Sequence, residues 1–229
     1  MDQLILKLQP DTSSVFENYY TGKNEPLINE ISSVEKISSL QQVFIWGGKN
    51  LGKSHLLQAT CSRFSSENRN SVYLPMREIK LHSTSVIDGL ESISLICIDD
   101  ISEICGNSKW ELAVFNLINS VRATKNCILI SSDQAPDHLK ITLADLKSRF
   151  SWGPVYKLQE LNDEQQVDAI TLRASFLGFD LPKESAKFLQ NHLKRDMQHL
   201  YKAVLSLEKE TLVQQRKITI PFIKSVLDI

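Results

Sequence analysis

The sequence predicts an α/β fold: a parallel sheet of five strands with intervening helices, followed by a smaller, all-helical domain. Three observations predict it. Short apolar runs at 43–46, 71–74, 95–98, 127–130 and 155–158 alternate with helix-like segments, the pattern of strands covered on both faces. The stretch Gly47-Gly48-Lys49-Asn50-Leu51-Gly52-Lys53-Ser54 fits the phosphate-binding pattern GxxxxGK[ST] and lies between the first apolar run and a helix-like run at 54–59. Beyond Leu161 the strand pattern stops and only helical spacing remains.

At 229 residues, the chain has room for one large domain and a small one, and its 42% hydrophobic and 23% charged residues allow an ordinary core. A net charge of −1 and a pI near 6.5 argue against broad nonspecific binding to nucleic acid. Cys61, Cys97, Cys105 and Cys127 form no CxxC pair, and the N-terminus carries no signal-peptide pattern, so buried free thiols in a reduced, cytoplasmic compartment are expected. The five histidines make no HExxH or comparable ligand set. No apolar run is long enough to span a bilayer, and no repeat is visible.

In chain order, the apolar segment at 1–8 is cut off by Pro10 and reads either as an edge strand or as a docking peptide anchored by Leu4, Leu6 and Leu8. The aromatic segment at 16–24 either flanks a nucleotide base or packs on the sheet. In the phosphate loop, small residues let backbone N–H groups turn around an anion, Lys53 adds a point charge and Ser54 offers a hydroxyl to Mg²⁺. Asn50 stands where a glycine is usual, and asparagine tolerates the left-handed conformation. The third run ends in Asp99-Asp100, which matches a Walker B element: the first carboxylate to hold Mg²⁺ through water, the second to orient an attacking water. A covering helix spans 110–121. The fourth run ends in Ser131-Ser132-Asp133, in line with Asp99 if the strands are parallel. A helical segment at 143–150 is stopped by Gly153-Pro154 before the fifth run. Four helices follow at 163–177, 182–193, 196–209 and 219–227, with Gly178 as a stop and Pro221 in a first turn.

A five-stranded phosphate-loop domain with a helical lid resembles an AAA+ module. The detailed residues resemble the DnaA-related branch, and within it the Hda type, regulatory inactivators of the replication initiator DnaA. The resemblance rests on 16–24, Trp46 with the phosphate loop and Ser54-His55-Leu56-Leu57, Tyr73-Leu74-Pro75, and Cys97-Ile98-Asp99-Asp100-Ile101. It continues through Trp110-Glu111, Ser148-Arg149, Trp152-Gly153, Arg195-Asp196-Met197 and 215–222. It implies three parts: an extended clamp-binding peptide at 1–9, an AAA+ base at 10–160 and a helical lid at 161–229. The implied ligand is ADP, or ATP, with Mg²⁺ held by Ser54 and Asp99. The implied nucleotide set is Asn24, Gly47, Gly48, Gly52, Lys53, Ser54, His55, Asp99, Asp133 and Arg195, with Arg195 as sensor 2 and Ser132 and Asp133 at sensor 1.

The resemblance also turns the N-terminal segment toward docking. Gln3, Leu4, Leu6 and Leu8 fit a hexapeptide that binds the sliding clamp, the beta subunit of DNA polymerase III, with Ile5 and Lys7 departing from its pattern. Arg149 corresponds to an arginine finger acting in trans, alongside Asp100 as the catalytic pair. The chain ends at Ile229 without the helix-turn-helix domain of DnaA, so contact with DNA is expected to be indirect, through the clamp. Self-association into a dimer or higher oligomer is compatible with such a module. The implied function is negative regulation of replication initiation, by stimulating hydrolysis of DnaA-bound ATP with little turnover of its own. Two alternatives remain open: a stand-alone AAA+ ATPase of the helicase-loader or clamp-loader type, and a clamp-binding adaptor with a vestigial nucleotide site.

Overall fold

The computed structural model describes residues 13–194, 196–214 and 217–229. These divide into two compact units: Asn24–Gln159 with the segment ending at Phe16, and Glu160–Ile229 with Glu17–Lys23. Residues 17–23 group with the second unit. A Cβ on Gly22, whose φ is 49°, would stand 3.0 Å from Leu161 and 3.6 Å from Gln165, so the segment packs closely there.

The first unit opens with two short helices that the sequence reading did not assign, α1 (Glu25–Ile31) and α2 (Val34–Leu40). Pro26 sits in the first turn of α1, where its fixed φ suits a helix start. Ser33 caps α2 by accepting from the Lys36 N–H. Then come β1 (Gln42–Trp46), α3 (Lys53–Ser66), β2 (Ser71–Pro75), the single turn α4 (Met76–Ile79) and β3 (Leu95–Asp99). The unit closes with α5 (Ser108–Ala123), β4 (Cys127–Ser132), α6 (Ala144–Arg149) and β5 (Val155–Lys157).

All strand pairs are parallel, in the order β2-β3-β4-β1-β5. Register follows the pleat: Val43 faces Leu129, Ile96 faces Ile128, and Tyr73 faces Cys97. Alternate residues line the two faces. Phe44, Ile96, Ile98, Ile128 and Ile130 pack with Trp110, Val114, Leu117, Ile118 and Val121 of α5, and with Leu146 and Phe150. The Phe44 and Phe150 rings meet at 5.4 Å, which fixes the end of α6 against the sheet. On the other face lies α3, where the Cys97 thiol donates to the Leu57 carbonyl at 3.5 Å. Cys61, Cys97 and Cys127 are buried, Cys105 is half-buried, and all four are free.

The second unit holds α7 (Asp163–Phe176), α8 (Lys183–His192), α9 (Met197–Gln214) and α10 (Ile220–Leu227). Asn162 and Gln165 form a reciprocal capping box that starts α7, and Gly178 turns left-handed just beyond its end. Val167, Ile170, Leu189, Leu200, Val204, Leu207 and Ile223 supply its own core. Among the described residues, no helix is long and apolar enough to cross a membrane. None of the described His, Cys, Asp and Glu side chains gather in a group of three that could hold a metal ion.

Candidate nucleotide site

The phosphate-loop segment leaves the C-terminal end of β1. The Gly47 N–H donates to the Ser132 carbonyl at 3.2 Å, which ties the loop's first residue to the end of β4. A Cβ on Gly47 would stand 3.1 Å from both Leu51 and Leu158, so any side chain there would press on both leucines. Asn50 and Gly52 are left-handed, with φ of 62° and 87°. Gly52 is the N-cap of α3 and offers no capping side chain, so the first N–H groups of that helix stay turned toward the loop.

Lys53 is buried, and its ammonium donates to the Gly47 and Gly48 carbonyls at 2.9 and 2.7 Å. Burial pushes its pKa down, and the negative charges of Asp100, Asp99 and Asp133 oppose that shift. Three carboxylates from two strand ends therefore act on the one lysine. The sheet order explains it: β3, β4 and β1 are parallel neighbours about 5 Å apart, so their C-terminal ends share one edge.

Asp99 is buried, and both of its oxygens accept protein hydroxyls. Tyr73 donates to Oδ2 at 2.6 Å, and Ser131 donates to Oδ1. Tyr73 reaches it because β2 lies beside β3 with Tyr73 opposite Cys97, two residues before Asp99. Of the serines ending β4, Ser131 is the one whose hydroxyl meets Asp99. The Ser132 hydroxyl accepts from the Gln134 N–H at 3.2 Å. Asp133 keeps a buried Oδ1 with no hydrogen-bond partner among the described residues. An acceptor left in that state fits a cation or its water shell, so the donor set suits a nucleotide accompanied by Mg²⁺.

Asp100 sits in the left-handed region at φ 55°. Its N–H donates to Ser131 Oγ at 2.9 Å, and its Oδ2 pairs with Arg77 at 3.3 Å. Burial and the neighbouring Asp99 push the Asp100 carboxyl up, against the pull of Lys53 and Arg77. The His55 ring lies 2.9 Å from the Val15 carbonyl. Buried Asn24 accepts the Gln159 N–H at 2.8 Å and donates to the Gln159 carbonyl at 3.2 Å, so its amide latches the chain just after β5.

Arg149 stands apart from this cluster. Its carbonyl accepts from Gln42 Nε2 at 2.7 Å, at the N-terminal end of β1, whereas the phosphate loop follows the C-terminal end, about 13 Å away at 3.3 Å per residue. Its Nε donates to Asn119 Oδ1 at 3.1 Å. Gln3, Leu4, Leu6, Leu8 and Arg195 lie outside the described residues. Sequence reasoning gave no role to Tyr73, Arg77 or Glu111. Glu111, fully buried in α5, accepts from the Gly106, Thr142 and Leu143 N–H groups and from the Thr142 hydroxyl, which anchors the approach to α6. The one signal for it was a charged residue on the apolar stripe of α5.

A family model for the bacterial DnaA ATPase domain matches residues 11–157, and one for the Hda lid domain matches residues 163–227. The chain belongs to the DnaA-related AAA+ family. It is 39% identical over 230 residues to an uncharacterized protein of Haemophilus influenzae, covering 99% of each chain. Its fold is that of domain III of the Thermotoga maritima replication initiation protein DnaA, with a TM-score of 0.80, 20% identity and coverage of 96% and 97% of the two chains. AMPPCP-bound DnaA from Aquifex aeolicus superimposes with a TM-score of 0.72 at 21% identity, over 88% of this chain and 66% of that one. The Thermotoga maritima RuvB branch migration motor gives 0.66 at 13% identity, over 95% and 73%. The chain is thus a replication-initiation-related AAA+ protein with a DnaA-like ATPase domain and an Hda-type lid.

Proposed function

We propose that this DnaA-family protein is a negative regulator of replication initiation. It holds ADP with Mg²⁺ at its own phosphate loop, docks on the sliding clamp through Gln3, Leu4, Leu6 and Leu8, and lends Arg149 to the ATPase site of DnaA. In the proposed site Lys53 and the N–H groups of α3 take the phosphates, while Ser54 and Asp99 hold the metal. When bound, Mg²⁺ supplies countercharge to the phosphate oxygens. Asp133 accepts from the ion's water shell, and Arg195 contributes from the lid.

The observation that carries the reading is the position of Arg149. Tied through its carbonyl to Gln42, it sits at the end of β1 remote from its own phosphate loop. An arginine of about 7 Å reach does not span that strand, so the anion it serves is supplied by another molecule. A guanidinium delivered in this way meets phosphate oxygens bidentately and accelerates hydrolysis by about 10³ to 10⁵ in phosphoryl-transfer systems generally. Water cleaves the γ-phosphate from the ATP held by DnaA, leaving ADP and inorganic phosphate, and initiation stops.

The test is hydrolysis of DnaA-bound ATP in the presence of clamp loaded on DNA, with wild type compared against Arg149→Ala. Loss of stimulation is expected, and equal stimulation by both proteins removes the finger. Removal of residues 1–8 is expected to abolish capture of the clamp. The convergence of Asp99, Asp100 and Asp133 on Lys53 also suits a stand-alone ATPase. Steady turnover of ATP by the purified protein alone would favour that second reading.

A further inference from the structure

We propose that Trp152 is the positioning residue for Arg149: its indole is a shelf that holds the guanidinium flat with its terminal nitrogens presented outward. This deepens the finger reading above and rests on it. Arg149 occupies the last turn of α6, a helix of six residues that gives a long side chain little support of its own. Its orientation comes from outside the helix. The guanidinium carbon lies 3.8 Å from the centroid of the Trp152 ring and 5.3 Å from that of Phe115. Asn119 takes the Nε–H, and the terminal nitrogens make no hydrogen bond or ion pair among the described residues. A stacked guanidinium with its fork uncommitted is prepared for a planar, bidentate anion such as a phosphate.

The shelf itself is fixed by the backbone. The Trp152 N–H donates to the Arg149 carbonyl at 3.1 Å, closing a turn that folds the indole back beside the arginine. The next residue, Gly153, runs so close to β1 that a Cβ there would stand 2.0 Å from the Gln42 carbonyl oxygen. Arg122, in the last turn of α5, lies 4.2 Å from the centroid of the same ring, which ties the indole to that helix as well. Two like charges sharing one ring repel each other, so an arriving anion is favoured further. Trp152 is 37% exposed, and substitution there leaves the core intact.

Holding a side chain in one orientation raises the rate within an assembled complex without changing how tightly the complex assembles. The experiment titrates full-length protein into DnaA–ATP with clamp on DNA, reading both the plateau hydrolysis rate and the concentration at half-maximum. Trp152→Leu keeps an apolar body but lacks the ring quadrupole, and its plateau is expected to fall about tenfold with a half-maximum within about twofold of wild type. Trp152→Phe restores a π face and is expected to recover most of the plateau. A wild-type plateau for Trp152→Leu alongside a lost plateau for Arg149→Ala overturns the shelf and leaves the finger standing. Full stimulation by Arg149→Ala overturns both. Thermal melting of Trp152→Leu and Trp152→Phe is expected to match wild type, and equal loss of plateau by both folded variants also overturns the shelf.

Discussion

The Tyr73 hydroxyl donates a 2.6 Å hydrogen bond to Oδ2 of Asp99, joining β2 to β3 at the edge where the candidate nucleotide site lies. Burial and the adjacent carboxylate push the tyrosine pKa well above its ordinary value, so the phenol stays a donor throughout the working pH range. Tyr73→Phe keeps the ring and deletes the donor, leaving half of a buried carboxylate without its hydroxyl. A loss of about 1–3 kcal/mol is expected in urea unfolding without nucleotide. In an Asp99→Asn background the same change is expected to cost less, since the charge that makes the bond strong is gone.

Lys53→Ala removes the cation on which Asp99, Asp100 and Asp133 act. With the proposed ligand, ADP is expected to raise the melting temperature of wild type but not of the variant, and direct titration is expected to show at least about tenfold weaker binding. Lys53→Arg is not an equivalent replacement, because the buried pocket formed by the Gly47 and Gly48 carbonyls holds a compact ammonium.

Glu111 gives a pH prediction. Burial raises its pKa, but hydrogen bonds from the Thr142 hydroxyl and from the Leu143, Thr142 and Gly106 N–H groups outweigh that, and the folded carboxyl lies below its ordinary 4.5. As pH falls, the unfolded chain therefore takes up this proton first. The contribution is whole above about pH 4.5 and disappears as pH drops through the folded value. Glu111→Gln is expected to cost about 1–3 kcal/mol at pH 7 and to flatten the fall in stability below pH 4.5, as read from urea midpoints across pH.

At Gly153 the constraint is space. A methyl group would overlap the Gln42 carbonyl oxygen at 2.0 Å, so Gly153→Ala must push the turn after α6 off β1. A loss of about 2 kcal/mol or more is expected, visible as a lower melting temperature. Because Trp152 and the Arg149 carbonyl ride on the same turn, the proposed stimulation of DnaA is expected to fall as well.

Long periodic segments were legible in the sequence. Each apolar run became a strand of the sheet, and the helices of the second unit appeared where spacing, Gly178 and Pro221 placed them. Helices α1 and α2 escaped because seven residues span under two turns, too few for a period to emerge from apolar residues that also suit strands. The left-handed Asn50 was foreseen from its side chain; the left-handed Asp100 was not, since nothing in an Asp-Asp pair says which carboxylate turns away from the strand.

The sequence alone determined the phosphate loop, the acids behind a buried strand, the α/β order of elements and the family they belong to, since local pattern and spacing encode each of these. Only the tertiary structure decided which groups share one point in space. Strand order brings the ends of β3 and β4 to Lys53, lets Tyr73 and Ser131 occupy both oxygens of Asp99, and sets Arg149 at the far end of β1 on the ring of Trp152. Trp152 aside, three residues from Arg149, those neighbours are 26 to 107 positions apart in the chain, and sequence spacing carries no distance across a sheet until the strands have paired.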